Sequence, residues 1–215
     1  AVAWMTRKAE ALARAEADGR STREHIYRYH ANLGTFHAHR WFRNGASRED
    51  LSDLRKADAE IAEAIRINPD AHFGREKYQL AAIRWLIELP EPPSGEQASF
   101  LTPFVERDLG MLPEIPFAPD EAVRGLTGLI VLGNAWESVD VHWALGAALA
   151  FHKDSSVAFL AQMRVDELLS LRKESVHPRF DRSIQVGQGF FRPLMLELDD
   201  DRKGEAQVYF VKARL

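Results

Sequence analysis

Over residues 4–89 and 120–173 the apolar side chains recur every three or four positions, the spacing of one helix face, and no stretch there alternates with a period of two. Residues 4–18 consist largely of strong helix formers, and Gly19 stands where a C-terminal cap belongs. A second helix is expected from about Thr22 to Phe42. Ser21 or Thr22 would start it, the Ser21-x-x-Glu24 spacing fits a capping box, and Asn44-Gly45 would stop it. Its inward face is expected to carry Ile26, Tyr29, His30, Leu33, Phe36, His37 and Arg40. Residues 51–67 read as a third helix with Leu54, Ala57, Ile61, Ala64 and Ile65 inward. Pro69 ends it, and Asp70 caps a fourth from Ala71 to about Leu89 that buries Ile83, Leu86 and Ile87. Further helices are expected at 120–132, closed by Gly133-Asn134, at 139–152, and at 155–173 after the turn Asp154-Ser155-Ser156.

Two segments break this rhythm. Pro90, Pro92, Pro93, Pro103, Pro113, Pro116 and Pro119 forbid a long helix over 90–119, where only a short one near 98–109 is expected. A connection of that length typically covers a surface or closes a groove. Residues 174–204 read as irregular, with Phe190, Phe191, Leu194, Met195 and Leu196 forming apolar chain or a short strand. Glu205–Leu215 reads as a helix that stops where the chain stops, which suggests a piece of a longer array or part of an assembly.

Composition narrows the chemistry more than the fold. With 215 residues, 46% of them hydrophobic and 28% charged, the chain has a soluble, globular make-up and can bury a core without staples. Length allows one large domain or two small ones. The absence of cysteine removes disulfides, a thiol nucleophile, iron–sulfur ligation and thiolate zinc sites, and leaves the compartment open between cytoplasm and periplasm. A net charge of −4 argues against a strongly basic nucleic-acid binder, so no nucleic-acid partner is expected. No apolar run reaches the ~18 residues of a membrane span.

The segments Tyr29-His30-Ala31-Asn32-Leu33-Gly34 and Val141-His142-Trp143-Ala144-Leu145-Gly146 match each other, each with Leu-Gly three and four positions after a histidine. A glycine inside a helix costs about 1 kcal/mol, so Gly34 and Gly146 should lie where a neighbouring helix comes close. His30, Leu33, Gly34 and His37, followed by Ala57, Ile61, Ala64 and Pro69, resemble the two-helix signature of the tetratricopeptide repeat family. A weaker copy runs through His142, Leu145, Gly146, Leu149 and Ala158, then Gln162 and Val165. Ala31–Thr35 and Ile67–His72 are similar to bacterial members of unassigned function. The resemblance covers residues 22–89 and 120–173. It implies stacked hairpins that bury their apolar sides on one another and a face of first helices open to a partner.

Catalytic and metal patterns are weak. The histidines stand at 25, 30, 37, 39, 72, 142, 152 and 177, none in a His-Glu-x-x-His arrangement. His30 and His142 are expected as satisfied packing residues, with a shared zinc site the lesser alternative. Asp58 and Glu60 point apart on a helix, Glu60 and Glu63 face solvent, and Asp166 and Glu167 have no matched base. Asp199-Asp200-Asp201 lacks the alternation of a calcium loop. Ser155 and Ser156 are caps, and Gly187-x-Gly189 lacks the strand and the Lys-Ser or Lys-Thr of a phosphate loop. No catalytic residue, metal or cofactor is therefore expected. His39, Arg40, Trp41, Phe42 and Arg43, extended by Arg23 and Arg28, either pack their apolar parts with their charges wet or form a patch for an acidic peptide.

The expectation is an all-α protein of stacked antiparallel helix pairs, a tetratricopeptide-like solenoid forming one helical-repeat domain over 1–215, with a proline-rich irregular insertion at 90–119. Its expected role is a non-catalytic scaffold or adaptor for a protein or peptide partner, with self-association as a further contact. The docking residues expected are Tyr29, Asn32, Phe36, Arg40, Arg75 and Trp143, with Asn32 able to hold a peptide backbone through both donor and acceptor. The alternative is an enzyme, or an enzyme's accessory domain, with a pocket between the repeats and the 90–119 segment.

Overall fold

The computed structural model describes residues 1–88, 118–151 and 155–176, without the side chains of Phe151 and Ser155. The expectations for 90–117, for the turn at 152–154 and for everything from His177 onward lie outside those residues. The chain divides into two compact units, Ala1–Glu88 and Leu89–Leu215, each taken by itself below. Among the described residues every regular element is helical, and neighbouring helices stack.

In the first unit α1 (Val2–Ala17) leads to α2 (Arg23–Arg43), α3 (Ser52–Ile67) and α4 (Arg75–Glu88). Gly19 sits at φ 72°, and the amides of Gly19 and Arg20 return to the carbonyls of Glu16 and Ala15, so the glycine cap ends α1 as its position predicts. The same device ends α2, where Gly45 at φ 94° closes the turn. The expected capping box does not form. Thr22 occupies the N-cap without a side-chain bond to the helix; its hydroxyl donates back to Glu16 Oε1 at 3.1 Å. Glu24 is engaged instead by Arg28 Nε at 2.8 Å.

α2 and α3 form an antiparallel hairpin whose seam is built from small residues. A Cβ on Gly34 would lie 2.7 Å from Ile61 Cγ1 and 3.1 Å from the Ala57 carbonyl oxygen, so α3 approaches as closely as the sequence suggested. Ala38, Ala57, Ile61 and Ile83 make one cluster along this seam, and Tyr27, Ala31, Ala64 and Ile67 another. The buried stripe of α2 is thus Tyr27, Ala31, Gly34, Ala38 and Trp41, with Leu33 and His37 beside it. It is turned about one residue from the face expected: Ile26, Tyr29, His30, Phe36 and Arg40 are only half-buried. Close helix approach selects alanine and glycine, and bulkier side chains are moved to the flanks. Trp41 closes the 44–51 loop by donating from Nε1 to the carbonyls of Ser47 and Asp50.

α4 begins later than expected. Residues Ala71–Gly74 form a 3₁₀ turn in which His72 (φ 47°), Phe73 (φ 62°) and Gly74 (φ 76°) are all left-handed, so the right-handed helix starts only at Arg75. Two non-glycine residues in that region cost about 1–2 kcal/mol each. Phe73 is left 69% exposed at its tip. Arg84 Nε donates to Asp58 Oδ1 at 2.6 Å, and Ile83 and Leu86 are buried as expected, with Ile87 half-buried.

In the second unit α5 (Pro119–Val131), α6 (Val139–Phe151) and α7 (Ser155–Ser170) follow in order. Pro119 sits in the first turn of α5, where its missing amide costs nothing. Gly133 closes that helix, since a Cβ there would lie 2.6 Å from the Leu129 carbonyl oxygen. Leu149, Ala150, Ala158 and Ala161 pack together between α6 and α7, with Val123 and Leu145 against them. Of the five tryptophans, Trp41, Trp85 and Trp143 are buried, whereas Trp4 and Trp136 are exposed.

Candidate functional site

α2 carries most of the polar chemistry of the first unit. Three layers of side chains follow from its rotation. The buried stripe faces α3, ion pairs lie along the flanks, and the remaining face is open.

On the flank toward α3, Arg40 grips both oxygens of Asp53 with one guanidinium edge: Nε donates to Oδ2 at 2.7 Å and Nη2 to Oδ1. His37 Nδ1 donates to the same Oδ1 at 2.9 Å. The Arg40 hydrogen bonds, helped by His37, hold the Asp53 carboxyl down to about 2 against the cost of its burial. Two helical turns away, His30 Nδ1 donates to Glu60 Oε2 at 2.7 Å. Tyr29 stacks edge-on against His30 at 5.1 Å, and burial together with Glu60 pushes its phenol up.

On the flank toward α4 lies a second cluster. Tyr27, fully buried, donates its hydroxyl to Glu76 Oε1 at 2.8 Å and meets His72 Nδ1 at 2.7 Å. Arg75 Nη2 also donates to Glu76 Oε1. Burial pushes the Glu76 carboxyl up, but His72, Arg75 and Tyr27 together outweigh it, and the group is held below its ordinary value. Burial and Glu76 push the Tyr27 phenol far up, so it stays protonated. Thr35 donates to the Ala31 carbonyl and accepts from Gln79 Nε2 at 2.9 Å. This network locks the left-handed turn to α2 and offsets its strain.

The open face of α2 shows His25, Arg28, Asn32, His39 and Arg43 to solvent, with Tyr29 and Phe36 half-buried along its edge. These positions follow one another at three-, four- and seven-residue spacing, so they form a single strip.

The six residues expected at the docking face are dispersed. Asn32 is exposed, and Tyr29 and Phe36 flank it on the same strip. Arg40 lies on the strip's edge with its guanidinium given to Asp53. Arg75 is 6% exposed, beneath the surface beside Glu76, and Trp143 is equally buried in the second unit. Of the expected positive strip, Arg23 donates to the Ile67 carbonyl, and Trp41 is inside. The sequence already offers Arg28, His39 and Arg43 as an acidic-peptide patch, but gives His25 no site role. The three-residue step from His25 to Arg28 and the four-residue step on to Asn32 are the signal that finds it once the buried stripe is known.

In the second unit, Asp140 is buried in the first turn of α6 and accepts from Ser175 Oγ at 2.5 Å and the Val176 amide at 3.1 Å. Burial pushes its carboxyl up. His142 Nε2 donates to the Trp136 carbonyl at 3.2 Å, and burial lowers its imidazole. These contacts tie α6 to the loop before it and to the residues that follow α7. The pocket imagined against 90–119 falls outside the described residues. Among the described residues no group of three or more His, Asp or Glu is placed to hold a metal ion, and no helix is long and apolar enough to cross a membrane.

Compared with models of known protein families, with curated proteins and with solved structures, the chain matches none.

Proposed function

We propose that this protein is a non-catalytic scaffold of tetratricopeptide-like helix pairs, and that the outer face of α2 docks a segment of another protein. One observation carries this reading. α2 buries its small residues against α3, ties its flanks to Asp53, Glu60 and Glu76, and still leaves a continuous strip of arginine, histidine and asparagine side chains open to solvent, edged by the half-buried Tyr29 and Phe36. Arginine and aromatic side chains supply much of the binding energy at protein interfaces. Asn32, central on the strip and exposed, can accept from and donate to a bound backbone. The carboxylates on the flanks are held by neighbouring cations or donors and are not poised as a general acid–base pair.

A selection from a display library of random seven-residue peptides tests this, comparing the native protein with Asn32→Ala and Phe36→Ala. Peptides that bind the native chain and lose at least about tenfold in affinity to both variants support the face, since loss of a central contact costs over 1 kcal/mol. A selection that yields no strip-dependent peptide rejects it.

A further inference from the structure

From the charge on that strip we infer the chemistry of its partner: an acidic, extended segment with one apolar side chain between its carboxylates. The inference rests on the docking role of α2 proposed above and adds the partner's class.

The strip carries Arg28, Arg43, His25 and His39, and Glu24, at its edge, is its one carboxylate, paired to Arg28 at 2.8 Å. The acids of α3 that face α2 are already engaged: Asp53 by Arg40 and His37, Glu60 by His30, Glu63 by Arg66. Arg28 and Arg43 are 15 positions apart on one helix. At 1.5 Å per residue that is about 22 Å, the reach of roughly seven residues of extended chain. Asn32 lies between the two arginines, with Tyr29 and Phe36 beside it as an apolar shelf. A segment with carboxylates at both ends and an apolar residue in the middle matches this order of groups. The wider field agrees. Residues 1–88 hold more Lys and Arg than Asp and Glu, so the chain's net charge of −4 arises beyond this unit. Complementary charge then steers the partner in and fixes its register, while the central aromatic contact holds it.

The test uses fluorescence anisotropy with the full chain and the labelled peptide Glu-Glu-Glu-Leu-Glu-Glu-Glu, against Gln-Gln-Gln-Leu-Gln-Gln-Gln and a labelled single-stranded oligothymidine. Expected are binding of the acidic peptide at least about tenfold tighter than the glutamine peptide, and a weakening of about fivefold between low and physiological salt. Arg28→Glu and Arg43→Glu should each abolish the preference, while Arg55→Glu on the exposed side of α3 leaves it intact; circular dichroism confirms that all three fold. Equal binding of both peptides, lost in Asn32→Ala, overturns the acidic class but leaves the docking face standing. Tighter binding of the oligothymidine overturns a protein partner. If the display selection finds no strip-dependent peptide at all, the docking reading itself fails.

Discussion

Asp53 is the residue on which the α2–α3 hairpin leans most heavily for polar contact. It receives three charged or imidazole donors while largely buried. Its folded carboxyl lies at about 2, below the ordinary carboxylate value, so the stabilisation is present above that ordinary value and is lost as pH falls through about 2. Replacement by alanine strands Arg40 and His37 and should cost about 2–3 kcal/mol at neutral pH, read by urea denaturation. Asp53→Asn cannot titrate, so its stability should change less than the native protein's between pH 5 and the acid limb. An unchanged acid limb would show that Asp53 does not govern it.

At the scale of the element, Gly34 decides how near α3 can come. Alanine there places a methyl carbon against Ile61 and the Ala57 carbonyl, a clash that should destabilise by about 1–3 kcal/mol. The effect should shrink by at least half in an Ile61→Ala background, because both crowded side-chain atoms are then gone; a double-mutant cycle by urea denaturation measures it. This close approach was readable in advance, since a glycine in the middle of a helical pattern needs a reason. So were the inward positions Leu54, Ala57, Ile61 and Ala64, where apolar spacing is unbroken. The rotation of α2 was not. Its aromatic and histidine positions have a clear helical period of their own, and nothing in that period says that alanines and a glycine take the inside. The late start of α4 was hidden for a different reason: the network of Tyr27, His72 and Glu76 that holds the left-handed turn joins residues far apart in sequence. The candidate strip inherits both facts. Asn32, Tyr29 and Phe36 could be named from sequence as docking residues, and Arg28, His39 and Arg43 as an acidic-peptide patch, whereas His25, and the joining of all of them in one strip, became visible only after the buried stripe had been placed.

For the molecule as a whole, the first unit stacks α1 on α2, α2 on α3 and α3 on α4 and has its own apolar clusters. Residues 1–88 expressed alone should therefore melt cooperatively with helical circular dichroism, as compact units of that length do. A fragment that is unfolded at 25 °C would show that the helix stack of this unit needs the remainder of the chain.

The distribution of the tryptophans gives each unit an optical label of its own. Trp4 and Trp136 are open to a dissolved quencher, and Trp41, Trp85 and Trp143 are shielded from it. Acrylamide should therefore darken the red-shifted part of the emission and leave a blue-shifted remainder from the interiors. With Trp143 replaced by phenylalanine, that remainder comes from Trp41 and Trp85 alone. The shielded, blue-shifted emission then follows the loosening of the unit that bears the α2 strip, while Trp136 adds only to the part that acrylamide quenches.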